Sequence, residues 1–231
     1  STYYKVNNIA SVEMPNIKVA NGYIHVISEV LEPIAYNSYE WLKKNDGFSI
    51  LAGLLEMTGL KDTMNIYRLT PAGQQIKNRY TLLAEHDSIY QRNGIYSVDD
   101  LVNKYAQPGL LPTDPENELY QFAAYHLLEG SYFLDEFTGS TNYNTYANYP
   151  VNINAGLDIR INVGVDTFRY EIINNDTVAI NYISLYYQLS NQLTKNGAIH
   201  MVSEILELYR PGRTTRTFQF YEEPQIAKVR N

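Results

Sequence analysis

The sequence predicts an α+β domain, and three observations carry that expectation. Apolar residues recur at helical spacing between residues 38 and 128, and at every second position from residue 132 to 206. A twelve-residue motif is written twice, NGYIHVISEVLE over residues 21–32 and NGAIHMVSEILE over residues 196–207. Eight of the twelve positions are identical, and three others exchange one apolar side chain for another. The repeat implies one structural element closing two units, of which the first is present only as its tail. Helices followed by strands describe a segregated α+β architecture rather than a doubly wound nucleotide fold.

The elements follow in order. Apolar runs at residues 3–6, 9–12 and 17–20, interrupted by Asn7-Asn8 and Pro15, are expected as short strands. Asn21-Gly22 marks a tight hairpin turn, with Gly22, and Gly197 in the second copy, supplying a left-handed residue. Residues 23–31 alternate, with Ile24, Val26, Ser28 and Val30 on one side and His25, Ile27, Glu29 and Leu31 on the other. Apolar residues on both sides predict a strand covered on both faces over part of its length.

Ser38 is placed as the cap of a helix over residues 39–44, and SILAGLLEMT over residues 49–58 is a second helix stopped at Gly59. Residues 60–64 add one turn, and 67–80 read as an excursion or hairpin. TLLA, from Thr81 to Ala84, is a short strand leading into EHDSIY. Ser97 and Asp100 form a capping box for a helix to Tyr105. Asp114 and Pro115 are expected to start a helix running to Leu128, with Gly130 as its stop. Strands are then expected over 132–137, 143–147, 157–163, 168–173, 178–182, 185–189 and 198–206, with a turn at Asn174-Asn175-Asp176. Residues 214–220 alternate as one more strand; beyond Glu222 nothing would order the tail on its own.

Composition excludes several classes. A net charge of -7 opposes a broad phosphate-binding surface, so no nucleic-acid partner is expected. There are no cysteines, which removes disulfides, thiolate chemistry and cysteine-ligated metals. No apolar window is long enough to span a bilayer, which leaves a lipid anchor upstream of Ser1 as the expected form of any membrane attachment. The 22 tyrosines exceed what one core holds, so many are expected on strand surfaces and contact faces.

Three local matches in order give the chain a resemblance to a known family. NGxIHxIDxVLxP is matched by residues 196–206 and 21–33. TVFAPTNxAF is matched loosely by TLLAEHDSIY, with Thr81, Ala84 and Asp87 in place. A helical Tyr-His pair is matched by Tyr125-His126. Together they resemble the fasciclin domain over residues 41–207, and a subtype similar to those on bacterial cell surfaces. The resemblance implies a β-sandwich wedge with a group of helices in its first half. It implies a C-terminal remnant of a preceding domain over 1–35, one fasciclin-like domain over 36–210, and an extension over 211–231. Glu85 stands where the family has Pro, and Ser28 and Ser203 stand where it has Asp.

Candidate chemistry is sparse. His25, His86, His126 and His200 show no metal-ligand spacing, and no cofactor is expected. His25 and His200 follow an Ile at a buried strand, where a neutral imidazole donates from one nitrogen and accepts at the other; their role is read as structural, with Gly22, Gly197 and Ile199. Glu85-His86-Asp87-Ser88 contains triad residue types, but sequence neighbours cannot form the relay, and Asp87 or Ser88 is read as a cap. Clustered carboxylates at 99–100, 116–118 and 135–136 suit caps and solvated faces.

The expected function is adhesion or surface recognition outside the cell, with protein or polysaccharide bound on an exposed face around Tyr125, His126 and Tyr132. Two alternatives stand beside it: a carbohydrate-handling accessory protein or weak glycoside-active enzyme, whose enzymatic form needs a Tyr-lined cleft with paired acids, and a structural spacer. Residues 1–34, unable to satisfy their own sheet edges, are expected to pack on the main domain or on another copy.

Overall fold

The computed structural model describes residues 4–7, 9–65, 67–156, 158–162, 169–173, 176–180 and 182–208. The elements run β1 (Lys5–Val6), β2 (Ala10–Val19), β3 (Gly22–Ile27), α1 (Ser38–Lys44), α2 (Ser49–Met57), α3 (Leu60–Thr63), β4 (Tyr67–Leu69) and β5 (Gln75–Lys77). They continue with β6 (Tyr80–Ala84), α4 (Asp87–Arg92), α5 (Val98–Tyr105), α6 (Glu118–Tyr125), β7 (Leu127–Glu129), β8 (Gly139–Tyr143) and β9 (Val151–Ala155). The last are β10 (Ile159–Asn162), β11 (Arg169–Ile173), β12 (Asp176–Ile180), β13 (Tyr182–Ser184), β14 (Gln192–Thr194) and β15 (Gly197–Met201). The α+β class is as predicted, with the helices confined to the first half of the main body.

Two four-stranded sheets form that body, β14-β15-β6-β7 and β13-β10-β9-β8. Single bridges, Leu128 to Thr145 and Leu185 to Val202, stitch one sheet to the other. The first sheet is central. β6 and β15 run parallel through its middle, and every residue of both strands is buried. Leu51, Leu54 and Leu55 of α2, Leu101 of α5 and Phe122 of α6 join the same continuous core. The pair β4-β5 and the pair β11-β12 are separate hairpins. The N-terminal sheet β1-β2-β3 shares no strand with the others.

Local chemistry explains the helix starts. Asn37 caps α1 and exchanges a capping box with Glu40, so the cap lies one residue before the expected Ser38, which is the first helical residue. Ser97 and Asp100 form the box expected for α5. The Asp114-Pro115 start is replaced by Asn117, whose side chain accepts from Leu119 N, while Asp114 closes a turn onto Glu116 N. The predicted continuation of α6 to Leu128 is also corrected. Leu127–Glu129 is a strand, because the free edge of β6 offers three residues a ladder that outweighs their helical spacing.

Other strand expectations shift. Residues 134–136 are a 3-10 turn, and 187–189 form an exposed turn. The paired segments β9 and β14 were not anticipated. The runs at 9–12 and 17–20 are one long strand, β2, which passes Pro15 with two register shifts against β3. β3 itself is largely exposed, contrary to the expectation of cover on both faces. Asn174 and Asn175 of the expected turn, residues 157, 163, 168 and 181 of the expected strands, and the C-terminal strand at 214–220 lie outside the described residues.

Candidate functional site: a histidine lock present twice

The twelve-residue repeat is one arm of a larger repeated hairpin. In the body, Gln192, Leu193 and Thr194 pair with Ile199, Ala198 and Gly197. In the N-terminal sheet, Ile17, Lys18 and Val19 pair with Ile24, Tyr23 and Gly22, the same register at the same spacing. Asn191 and Asn16 both hold a left-handed conformation, at φ 58° and 61°. Their backbone N–H groups donate to His200 Nδ1 (3.3 Å) and His25 Nδ1 (3.2 Å) respectively. A serine pair then closes each hairpin. Ser203 N donates to Ser184 O at 3.0 Å and Ser184 N to Ser203 Oγ at 3.0 Å; Ser28 and Ser11 make the same two bonds at 2.9 Å each.

The Nδ1 bond fixes the tautomer. Because Nδ1 accepts, the neutral ring carries its hydrogen on Nε2. His200 uses that hydrogen to donate to Tyr132 O at 2.9 Å. Burial pushes the His200 pKa down to about 4, against a smaller opposing effect of the Tyr132 carbonyl. Tyr132 is in turn held by Thr81, whose Oγ1 accepts from Tyr132 N at 2.8 Å and donates to Gly130 O at 3.0 Å. Asn191 Oδ1 accepts from Leu134 N at 2.9 Å. The opening strand, the segment after β7 and the closing hairpin are thus joined by one series of hydrogen bonds.

Gly197 is required by a close approach, not by a turn. Its φ is not positive, and a Cβ there would lie 1.7 Å from Tyr80 O on β6. Gly22 is not left-handed either, and a Cβ on it meets nothing within 4 Å. The expectation of left-handed glycines at both positions is therefore corrected: the turn preceding each strand is closed without them.

Tyr125 and His126 lie inside the molecule, with 4% and 0% exposure. His126 Nδ1 faces Phe122 O at 2.8 Å, an acceptor, so it carries a hydrogen. Nε2 lies 2.8 Å from Glu85 Oε1, and a proton must sit between these two groups. Glu85 is itself fully buried, and accepts Leu206 N at 2.8 Å and Tyr90 OH at 3.1 Å. Burial lowers the His126 pKa, but the Glu85 charge and hydrogen bond, with the Phe122 carbonyl, raise it overall. Burial likewise pushes the Tyr90 phenol well up, aided by Glu85. This cluster ties the ends of β6, α4 and α6 to the segment after β15. Tyr132 is half-buried, its ring packed edge-on to Tyr143. Direct contact of a partner with Tyr125 or His126 is not what this geometry offers.

The Glu85-His86-Asp87-Ser88 string disperses. Glu85 points inward. Asp87 caps α2, accepting Ser49 N at 3.0 Å, Ser49 OH at 2.6 Å and Ile50 N at 2.9 Å. His86 Nδ1 meets Ser88 Oγ at 2.8 Å while its ring sits edge-on to Phe48. With Asp87 committed to α2, no carboxylate orients that imidazole. Among the described residues there is no group of three or more His, Asp or Glu able to hold a metal. The described residues lining one shallow cleft, Lys5, Asn7, Phe133, Asn191 and Leu193, include neither an acid nor a tyrosine. No helix among the described residues is long and apolar enough to cross a membrane.

The chain is similar to a solved fasciclin domain pair from the insect cell adhesion molecule Fasciclin I. Identity is 15%, the TM-score is 0.47, and the match covers 89% of this chain. This chain covers 66% of that one, just under two thirds. No protein-family model matches the chain, and no curated protein matches it.

Signals for the site were uneven. The repeat was visible over twelve residues, but its upstream arm was not, because the body copy has two more residues between the paired serine and the left-handed asparagine. Glu85 was visible only as a departure from the motif it resembles. A single acid carries no periodicity, so its burial against His126 gave no local signal.

Proposed function

We propose that this chain is a fasciclin-type adhesion or surface-recognition module of the cell exterior, binding a protein or polysaccharide through an exposed aromatic turn and performing no catalysis. One observation carries the reading. In the body copy of the closing motif, His200, Ser203, Glu204 and Glu207 are spent on internal hydrogen bonds, whereas Tyr186 (44% exposed), Tyr187 (59%) and Leu189 stand in solvent on a turn held at both ends. Tyr186 N donates to Met201 O at 2.9 Å, Leu189 N to Tyr186 O at 3.2 Å, and Met201 N to Ser190 Oγ at 3.2 Å. Two of those bonds run to β15, the best-buried strand of the hairpin. A pinned backbone presenting tyrosine rings loses little conformational freedom on binding, which favours recognition of flat glycan or protein surfaces.

The face expected around Tyr125, His126 and Tyr132 is moved to this turn, with the buried pair holding the framework beneath. The preceding-domain remnant over 1–35 and the main unit over 36–210 form part of the same proposal, supported by the repeated hairpin. The test is a glycan and protein array probed with the full chain, followed by the double variant Tyr186→Ser/Tyr187→Ser. Selective binding that falls at least tenfold in the variant, with an unchanged unfolding midpoint, is the expected result. Absence of any selective ligand, or binding indifferent to the double substitution, contradicts the reading.

A further inference from the structure

The two hairpins differ in one respect: what lies along the outer edge of the repeated strand. β15 is flanked by β14 on one edge and by β6, in parallel, on the other. Among the described residues β3 is flanked by β2 alone. The residues that fit β15 to its surroundings in the body are nonetheless present on β3. Gly197 is glycine because Tyr80 O presses on it; Gly22 is glycine with open space in the same place. His200 Nε2 donates to a carbonyl. His25 is held by Asn16 in the same tautomer, and its Nε2 hydrogen has no acceptor among the described residues. Ile199 is fully buried between the neighbours of β15, whereas its counterpart Ile24 is 52% exposed.

The edge is also unguarded. GYIHVI contains no Lys, Glu or Pro, the residues that ordinarily blunt a free strand edge. A bare edge of this composition is a template for strand addition. The body copy shows which strand fits: Tyr80–Ala84, in the register Gly197 to Tyr80 through Met201 to Ala84.

We propose that residues 22–26 form an acceptor edge for one parallel β-strand of the Tyr80–Ala84 type, supplied by another polypeptide segment with that opening sequence. The incoming strand places a backbone carbonyl over Gly22. It covers Ile24. A second copy of this chain cannot supply the strand, since its own β6 is enclosed between β15 and β7. The inference is independent of the aromatic turn, which lies on the other hairpin.

The experiment titrates a fluorescently labelled peptide, RYTLLAEH, the sequence of residues 79–86, into the full chain, followed by anisotropy. Gly22→Val is the decisive variant, because its side chain has room in the free hairpin and obstructs only an arriving carbonyl. The expected result is saturable binding that weakens at least tenfold in Gly22→Val and is lost with a peptide carrying proline for Leu82, whose N–H lies on the same side of the strand as that of Tyr80, the donor to Asn196 O. Sedimentation of the chain alone is expected to show a monomer. No binding, or binding unchanged by Gly22→Val, overturns the proposal. So does a dimer abolished by Gly22→Val, which would assign the edge to a second copy.

Discussion

Gly197 and Tyr80 approach so closely that a single added carbon on Gly197 would fall 1.7 Å from the Tyr80 carbonyl oxygen. The distance belongs to two parallel strands at the centre of the core, where neither backbone has room to retreat. The same glycine in the N-terminal hairpin faces nothing. An invariant pressure in one copy and an open space in the other separates the demands of the hairpin itself from those of its neighbour.

Gly197→Ala is therefore expected to destabilise the chain by at least about 2 kcal/mol, the scale of overpacking in a rigid core. Gly22→Ala is expected to be neutral or to stabilise by about 0.5 kcal/mol through the unfolded chain. Urea denaturation of the two variants checks the difference, and equal effects would contradict it.

Glu85 accepts from three groups, and no neutral substitute satisfies all of them. In Glu85→Gln, an amide nitrogen at the Oε1 position opposes Leu206 N–H. An amide oxygen there leaves His126 needing a second buried hydrogen without a countercharge. The loss is expected at about 3 kcal/mol, the cost of breaking a buried charged pair. The His126 pKa is raised above its ordinary 6.5. Its contribution to stability is complete below pH 6.5 and disappears as pH rises through the folded value. Denaturation midpoints measured from pH 6 to pH 10 should fall on the alkaline side in the native chain, and less so in Glu85→Gln.

His200 works in the opposite direction. Its pKa falls from 6.5 to about 4, so the neutral ring is the folded form. The associated stability is present above pH 6.5 and is lost as pH drops toward 4, by roughly 3 kcal/mol in total. His200→Phe, though less stable at neutral pH, should show a flatter acid limb. Acid titrations of unfolding for the two chains decide this.

Asp87 holds the start of α2 with both carboxylate oxygens. Asp87→Ala should cost about 1–2 kcal/mol as a lost helix cap. Asp87→Asn keeps an acceptor and should recover part of it. A catalytic role for Asp87 would instead leave stability unaltered in both.

Much of the architecture was legible because it depends on long patterns. Helices α2 and α5, the order of helices before strands, and the closing motif all repeat over many residues. The short strands β7, β9 and β14 were not legible, since three to five residues take their conformation from whichever edge lies beside them. β3 marks the same limit from the other side: its apolar residues read as covered on both faces, and they are bare where no neighbour is described. Of the site, the repeat singled out His25 and His200 as related strand residues, while Glu85 became visible only once folding set it against His126, forty-one positions away.

The equivalence of the two hairpins is tested most directly by long-range nitrogen–proton NMR of the imidazoles at pH 8. Both His25 and His200 should show an unprotonated Nδ1 and a hydrogen on Nε2, each Nδ1 shifted by the amide of its left-handed asparagine. A hydrogen on Nδ1 of His25, or an even mixture of tautomers there while His200 shows one, would contradict the account.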